Sequence, residues 1–256
     1  MPALEDPRLV GTVRALAELG GQAPAAQHQQ ALQLLRAQVM RRDLGSFAGR
    51  PLADLAWSLA RLGLEEPMQR IHDAVAKRGL RSFEPRDLVQ FAAAFAWLRG
   101  PQAQVLVKDV AREAMDRGLL EFGPQHIPEL AWAFALLSVR GLTNFMQLAG
   151  EVALRWGLQR YAPGGLVRLG WAFAKFAEQV EMETARKVVL AVDAEVGHRK
   201  ASGFSPAELC SALWADAQLC GEAGVAAGGA CAALLQRDVL EGLAPVELAR
   251  LLRALE

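Results

Sequence analysis

Apolar and polar positions follow one another along this chain in an order that returns five times. It is written in FAGRPLADLAWSLARL from Phe47, FEPRDLVQFAAAFAWL from Phe83, FGPQHIPELAWAFALL from Phe122, YAPGGLVRLGWAFAKF from Tyr161 and FSPAELCSALWADAQL from Phe204. Counting the opening aromatic as zero, Leu, Ile or Phe recurs at +5 and +8, bulky apolar residues stand mostly at +12 and +15, and alanine occupies +13 in every copy. At about 100° per residue these positions share one broad arc of a helix, so each segment predicts an amphipathic helix with that arc facing inward. Proline, usually at +2, suits the first turn because its φ is already set and its missing N–H would have had no helical partner.

A second helical stretch lies between these segments, as in 67–80, 102–119 and 145–158. It ends in Arg78-Gly79, Arg117-Gly118 or Trp156-Gly157. Glycine there can take the left-handed conformation that closes a helix, and a cation favours the negative end of the helix dipole. Two antiparallel helices per unit are therefore expected. Degenerate copies open at Leu4 and Leu243, so the openings fall near 4, 47, 83, 122, 161, 204 and 243, spaced 36–43 residues apart. Repeats of that length are stacked supersecondary units.

The expectation is an all-α fold: an αα-hairpin solenoid of about six repeats with no sheet, forming a single helical-repeat domain over residues 1–256. The partial repeat from Leu243 to Glu256 would leave an apolar face, which a continuation of the chain or a docked partner is expected to cover. Tryptophan stands at +10 in four copies (Trp57, Trp132, Trp171, Trp214), with Ala93 in the other. That position points about 140° away from +5. A helix that packs on neighbouring repeats as well as on its own partner can bury a ring there, so the indoles are expected as wedges between repeats, with base stacking as the alternative.

Composition narrows the function classes. A chain of 256 residues that is 52% hydrophobic has enough apolar surface for a large core, which argues against disorder. Basic and acidic residues balance at 28 each, so no long-range field advertises a polyanionic partner. Cys210, Cys220 and Cys231 make neither a paired framework nor a zinc spacing, so buried free thiols and no metal or other cofactor are expected. No apolar run approaches the roughly 20 residues that span a bilayer, so no membrane insertion is expected. The first residues carry acids and already enter the repeat pattern, unlike a secretory signal or a basic transit peptide. No nucleophile elbow, Walker loop or zinc-protease helix is written here, and His28, His72, His126 and His198 fall at different repeat phases. No enzyme is expected.

What remains is a surface. Positions +3, +7 and +14 project within about 40° of one another, opposite the apolar arc, and change most between copies. They hold Arg50, Arg86 and Gln125; Asp54, Gln90, Glu129, Arg168, Ser211 and Arg250; and Arg61, Trp97, Leu136, Lys175 and Gln218. A constant scaffold with a few variable polar side chains per unit is how helical-repeat proteins address single-stranded RNA, reading bases by hydrogen bonds and stacking. Such variation also arises on any solvated helix face. Arg78, Arg81, Arg117, Arg155, Arg160, Arg199 and Lys200 can meet phosphates, or serve equally as cations at helix C-termini.

The F-x-P-x-x-L openings (Phe83, Pro85, Leu88; Phe122, Pro124; Phe204, Pro206, Leu209) and the L-A-W-A-F-A-x-L core from Leu130 to Leu137 resemble the octotricopeptide repeat and its heptatricopeptide relatives. The resemblance covers nearly the whole chain. It implies organellar RNA binding, in mitochondrion or chloroplast, with the mitochondrion favoured, for transcript maturation, stability or translation, or structural service on ribosomal RNA in a mitochondrial ribosome. Neutral net charge favours a place within a larger ribonucleoprotein assembly, where one face meets RNA. The expected role is thus a non-catalytic RNA-holding protein, and the alternative is a protein–protein scaffold subunit.

Overall fold

The computed structural model describes residues 6–19, 25–177, 182–200 and 202–227, with side chains up to Leu219 in the last helix. The openings at Leu4 and Leu243, the closing half-repeat, Arg250, Cys231 and the side chain of Cys220 lie outside the described residues. Among the described residues the chain is helical and contains no strand. The helices are α1 (Asp6–Leu19), α2 (Ala25–Met40), α3 (Gly49–Arg61), α4 (Glu65–Arg78), α5 (Pro85–Leu98), α6 (Ala103–Arg117), α7 (His126–Leu136), α8 (Thr143–Trp156), α9 (Pro163–Phe176), α10 (Met182–His198) and α11 (Pro206–Ala227). The five repeated segments form the odd-numbered helices α3 to α11, called A helices below. The stretches between them form the even-numbered B helices.

Contacts divide the chain into two compact units, Met1–Asp116 and Arg117–Glu256. In the first unit α3 packs against α1 and α5 and onto α4, while α2 packs against α1 and α4. In the second, α9 packs against α7 and α11, α8 lies on α7, and α10 touches α8, α9 and α11. Neighbouring A helices side by side, with B helices against them, are the contacts of a helical solenoid.

The apolar arc is the core. Leu52, Leu55 and Leu59 of α3, Leu88, Phe91 and Phe95 of α5, Ile127, Leu130 and Phe134 of α7, and Leu166, Leu169 and Phe173 of α9 are buried. Each such side chain removed from water contributes about 1.5–3 kcal/mol. Alanine at +13 is buried in four copies (Ala60, Ala96, Ala135, Ala174) and half-buried as Ala217. The A helices start as the proline pattern predicts at Pro85, Pro163 and Pro206. Helix α7 differs: the Gly123 carbonyl accepts the His126 N–H at 2.9 Å, closing a turn around Pro124, and the helix begins only at His126. At α11, Ser205 and Glu208 cap each other's backbone N–H groups.

Three of the junctions from a B helix to the next A helix, those after α4, α6 and α8, are built the same way. Gly79, Gly118 and Gly157 have φ of 81°, 88° and 82°, with ψ of 139°, 128° and 130°. These values combine positive φ with extended ψ, so the glycines do not adopt the left-handed helical cap expected from sequence. They turn the chain out of the B helix into a single 3-10 turn at Leu80–Ser82, Leu119–Glu121 or Leu158–Arg160. That turn closes when the opening aromatic donates its N–H to the leucine carbonyl, at 3.1 Å in all three cases. The aromatic itself is buried, as Phe47, Phe83, Phe122 and Tyr161. Burial without a partner for its hydroxyl pushes the Tyr161 pKa up to about 12, which the phenylalanines avoid.

The fifth copy breaks the core pattern at +12, where Asp216 replaces leucine or phenylalanine and is buried. Burial first, and then the hydrogen bond and charge of Asp193, push its carboxyl up to about 9. An unfolded aspartate releases its proton near pH 4. In the folded chain the proton stays until about pH 9, so this group's favourable contribution is complete below about pH 4 and is lost as pH rises through that window, at up to about 1.4 kcal/mol per pH unit. Urea denaturation of the Asp216→Asn variant is expected to show a smaller loss of stability between pH 6 and pH 9 than the native chain. Open space surrounds the position of a Cβ on Gly79, so Gly79→Ala is expected to cost about 1–3 kcal/mol of unfolding free energy from backbone conformation alone, since positive φ with extended ψ is nearly exclusive to glycine.

Candidate functional site

With the apolar arc turned inward, the opposite side of each A helix becomes a ridge. Position +10 lies on that ridge, within about 60° of the whole set +3, +7 and +14. The tryptophans are accordingly not wedges sealed between repeats: Trp57, Trp132, Trp171 and Trp214 are all half-buried. Small side chains take part in the interior as well, with Ala56, Ala60, Ala92 and Ala96 buried in the first unit and Ala131, Ala133, Ala135 and Ala172 in the second. The indole rings share the ridge with the variable polar residues.

In the first unit the ridge encloses a groove of about 270 Å³, to which α3 gives Arg50, Asp54, Trp57, Ser58 and Arg61, and α5 gives Gln90. Helix α1 adds Arg14, Ala17 and Glu18, residues no ridge position of a good copy had pointed to. Phasing counted from Leu4 sets Arg14 at +10 and Glu18 at +14, so the signal was there in the degenerate copy. Most charges in this groove are paired, while Arg61 forms no ion pair among the described residues. Arg14 pairs with Glu18 at 2.8 Å and Arg50 with Asp54 at 3.1 Å, and Asp54 also accepts from the Gln90 amide at 2.9 Å. Such solvent-screened pairs hold the groups in place more than they stabilise the fold. Trp97 lies beside the groove, 53% exposed, edge-on to Trp57 with centroids 6.2 Å apart.

In the second unit a groove of about 450 Å³ runs across three A helices. Helix α7 lines it with Trp132 and Leu136, α9 with Val167, Arg168, Trp171 and Lys175, and α11 with Cys210, Ser211 and Trp214. The guanidinium of Arg168 lies over the Trp132 ring, 5.5 Å from its centroid, and is ion-paired with Glu129. Burial pulls the Arg168 pKa below its ordinary value, opposed by the charge of Glu208. The Lys175 ammonium lies over two rings, 4.7 Å from the centroid of Trp214 and 5.8 Å from that of Trp171. Among the described residues no carboxylate lines this groove.

Of the fourteen ridge residues expected from sequence, Arg50, Asp54, Arg61 and Gln90 line the first groove and Trp97 stands beside it, while Arg86 is exposed at the start of α5, 3.8 Å from the buried Asp87 and outside the lining. Arg168, Lys175 and Ser211 line the second, and Glu129 reaches it through Arg168. Gln125 and Gln218 are exposed on α7's first turn and on α11, outside the lining.

The cations at the B-helix ends divide into two groups. Arg78 donates to the Phe47 carbonyl at 2.6 Å and lies 4.6 Å over the Phe83 ring, while Arg199 donates to the Tyr161 and Leu158 carbonyls at 3.0 and 3.2 Å and pairs with Glu195. Both strap the end of a B helix to the opening turn of its own repeat, so their donors are committed to the scaffold. Arg81, Arg155, Arg160 and Lys200 are exposed, and Arg117 is half-buried.

Indole faces, cations and amide or hydroxyl groups can stack on flat rings and meet anions. Among the described residues no cluster of three or more His, Cys, Asp or Glu is placed to hold a metal ion, and no helix is long and apolar enough to cross a membrane. Cys210 is buried and forms no disulfide among the described residues. Comparison of the chain with protein-family models, with characterised proteins and with solved structures finds no match in any of the three.

Removing a fully buried tryptophan costs about 3–5 kcal/mol. For the half-buried Trp132, Trp132→Ala is expected to cost about 1–2 kcal/mol in urea denaturation, whereas Phe134→Ala, two residues on and facing the core, is expected to reach the full 3–5 kcal/mol.

Proposed function

We propose that this chain is a non-catalytic helical-repeat protein that holds single-stranded RNA along the ridge of its A helices. The observation that carries the reading is the recurrence of half-buried indoles beside cations on that ridge, at one fixed phase of the repeat. Aromatic faces interleaved with positive charge suit a single strand, whose bases expose π-faces and whose backbone carries the anions. The octotricopeptide-like openings support an organellar setting, the mitochondrion before the chloroplast, and a transcript or ribosomal RNA as the strand. Zero formal net charge supports work inside a larger ribonucleoprotein, with one face on RNA.

A protein-scaffold role is favoured by one feature, Trp97, because large exposed indoles anchor protein interfaces. Crosslinking followed by sequencing of bound RNA in cells separates the readings. The native chain is expected to yield a defined set of RNA crosslinks that fall at least ten-fold in the Arg86→Glu, Arg168→Glu double variant. Unchanged crosslinks in that variant exclude the ridge as the reader, and their absence from the native chain favours the scaffold.

A further inference from the structure

We propose that the groove of the second unit is a clamp for an unpaired nucleotide: a base stacks on Trp171 and Trp214 in the space now held by the Lys175 ammonium, which turns outward to meet the phosphate. This deepens the RNA reading above and rests on it. The two rings have centroids 6.3 Å apart and planes inclined by 40°, so they are not stacked flat on each other, and both line the groove. What lies over both of them is a single ammonium on a flexible four-carbon stem.

The charges select the ligand. A cationic guest would find the ring faces already occupied by the protein's own cations. Arg168 is held by Glu129 and by the Trp132 ring, whereas Lys175 forms no ion pair among the described residues. The mobile charge of the groove is therefore positive, and a flat ring bearing an anion complements it. The magnitudes agree with the exchange: a cation over an indole at an exposed site strengthens an association about two- to five-fold, and a base stacked on an aromatic side chain about ten- to a hundred-fold. The base displaces the ammonium, and the ammonium gains a phosphate in return.

The test uses the full chain and a fluorescein-labelled, twelve-nucleotide oligoadenylate, single-stranded or annealed to its complement, read by fluorescence anisotropy at several salt concentrations. The native chain is expected to bind the single strand more tightly than the duplex, whose bases are unavailable for stacking. Trp214→Leu is expected to weaken binding about ten- to a hundred-fold. Lys175→Gln is expected to lower the slope of log affinity against log salt by about 0.7, the value for one phosphate contact on a single strand. Native binding with both variants indistinguishable from it overturns the clamp and leaves the RNA reading with another site. No binding by the native chain overturns both. Equal affinity for duplex and single strand also overturns the clamp. Circular dichroism checks that Trp214→Leu is folded; if it is not, the salt slope of Lys175→Gln decides alone.

Discussion

Everything on the surface of this protein depends on the rotation of its A helices, and three core side chains set that rotation. Leucine, isoleucine or phenylalanine at +5, +8 and +12 fill about one stripe of each helix and are sealed from water in four successive copies. Turning such a helix by one residue, about 100°, would bring that stripe to the solvent and forfeit several kcal/mol. The ridge residues therefore need no interactions of their own to be aimed. Polar side chains at +3, +7 and +14 and the indoles at +10 share a direction in every copy because the core has already chosen it.

Successive A helices also have to begin at an equivalent place, and here the backbone takes over from burial. The Gly-Leu-x-x-aromatic junctions at Gly79, Gly118 and Gly157 reuse one pair of backbone angles and one 3-10 hydrogen bond. Arg78 and Arg199 then tie the B-helix end back to the turn that opened the repeat by donating to its backbone carbonyls. Conserving junction geometry while letting ridge residues differ is what allows one scaffold to present Arg50 with Asp54 in the first unit and Arg168 with Lys175 in the second. The two grooves accordingly differ in chemistry: paired charges and amides in one, indoles under cations in the other.

Asp216 shows what the core rule costs when it is broken. A carboxyl at +12 can only be accommodated neutral, which is why burial and the neighbouring Asp193 hold its proton far above the ordinary carboxylate range. It lies two residues from Trp214, on the helix that closes one side of the second groove. Local stability of α11 and the protonation of its core are thus coupled through the same helix.

Helices, their order, the inward arc and the absence of strands among the described residues were legible in the chain, because a five-fold repetition of one apolar phase admits a single secondary structure. The groove tryptophans were not. Their angular position follows from the repeat phase, but an indole reads as something to bury, and only the packing of neighbouring helices leaves it half in water. The same holds for Arg78 and Arg199, whose place at a helix end is written locally while the carbonyls they reach are 31 and 38 residues away. Periodicity along one helix fixes which way a side chain points; whether it meets water, a ring or a distant carbonyl there depends on other helices, and that belongs to the tertiary structure.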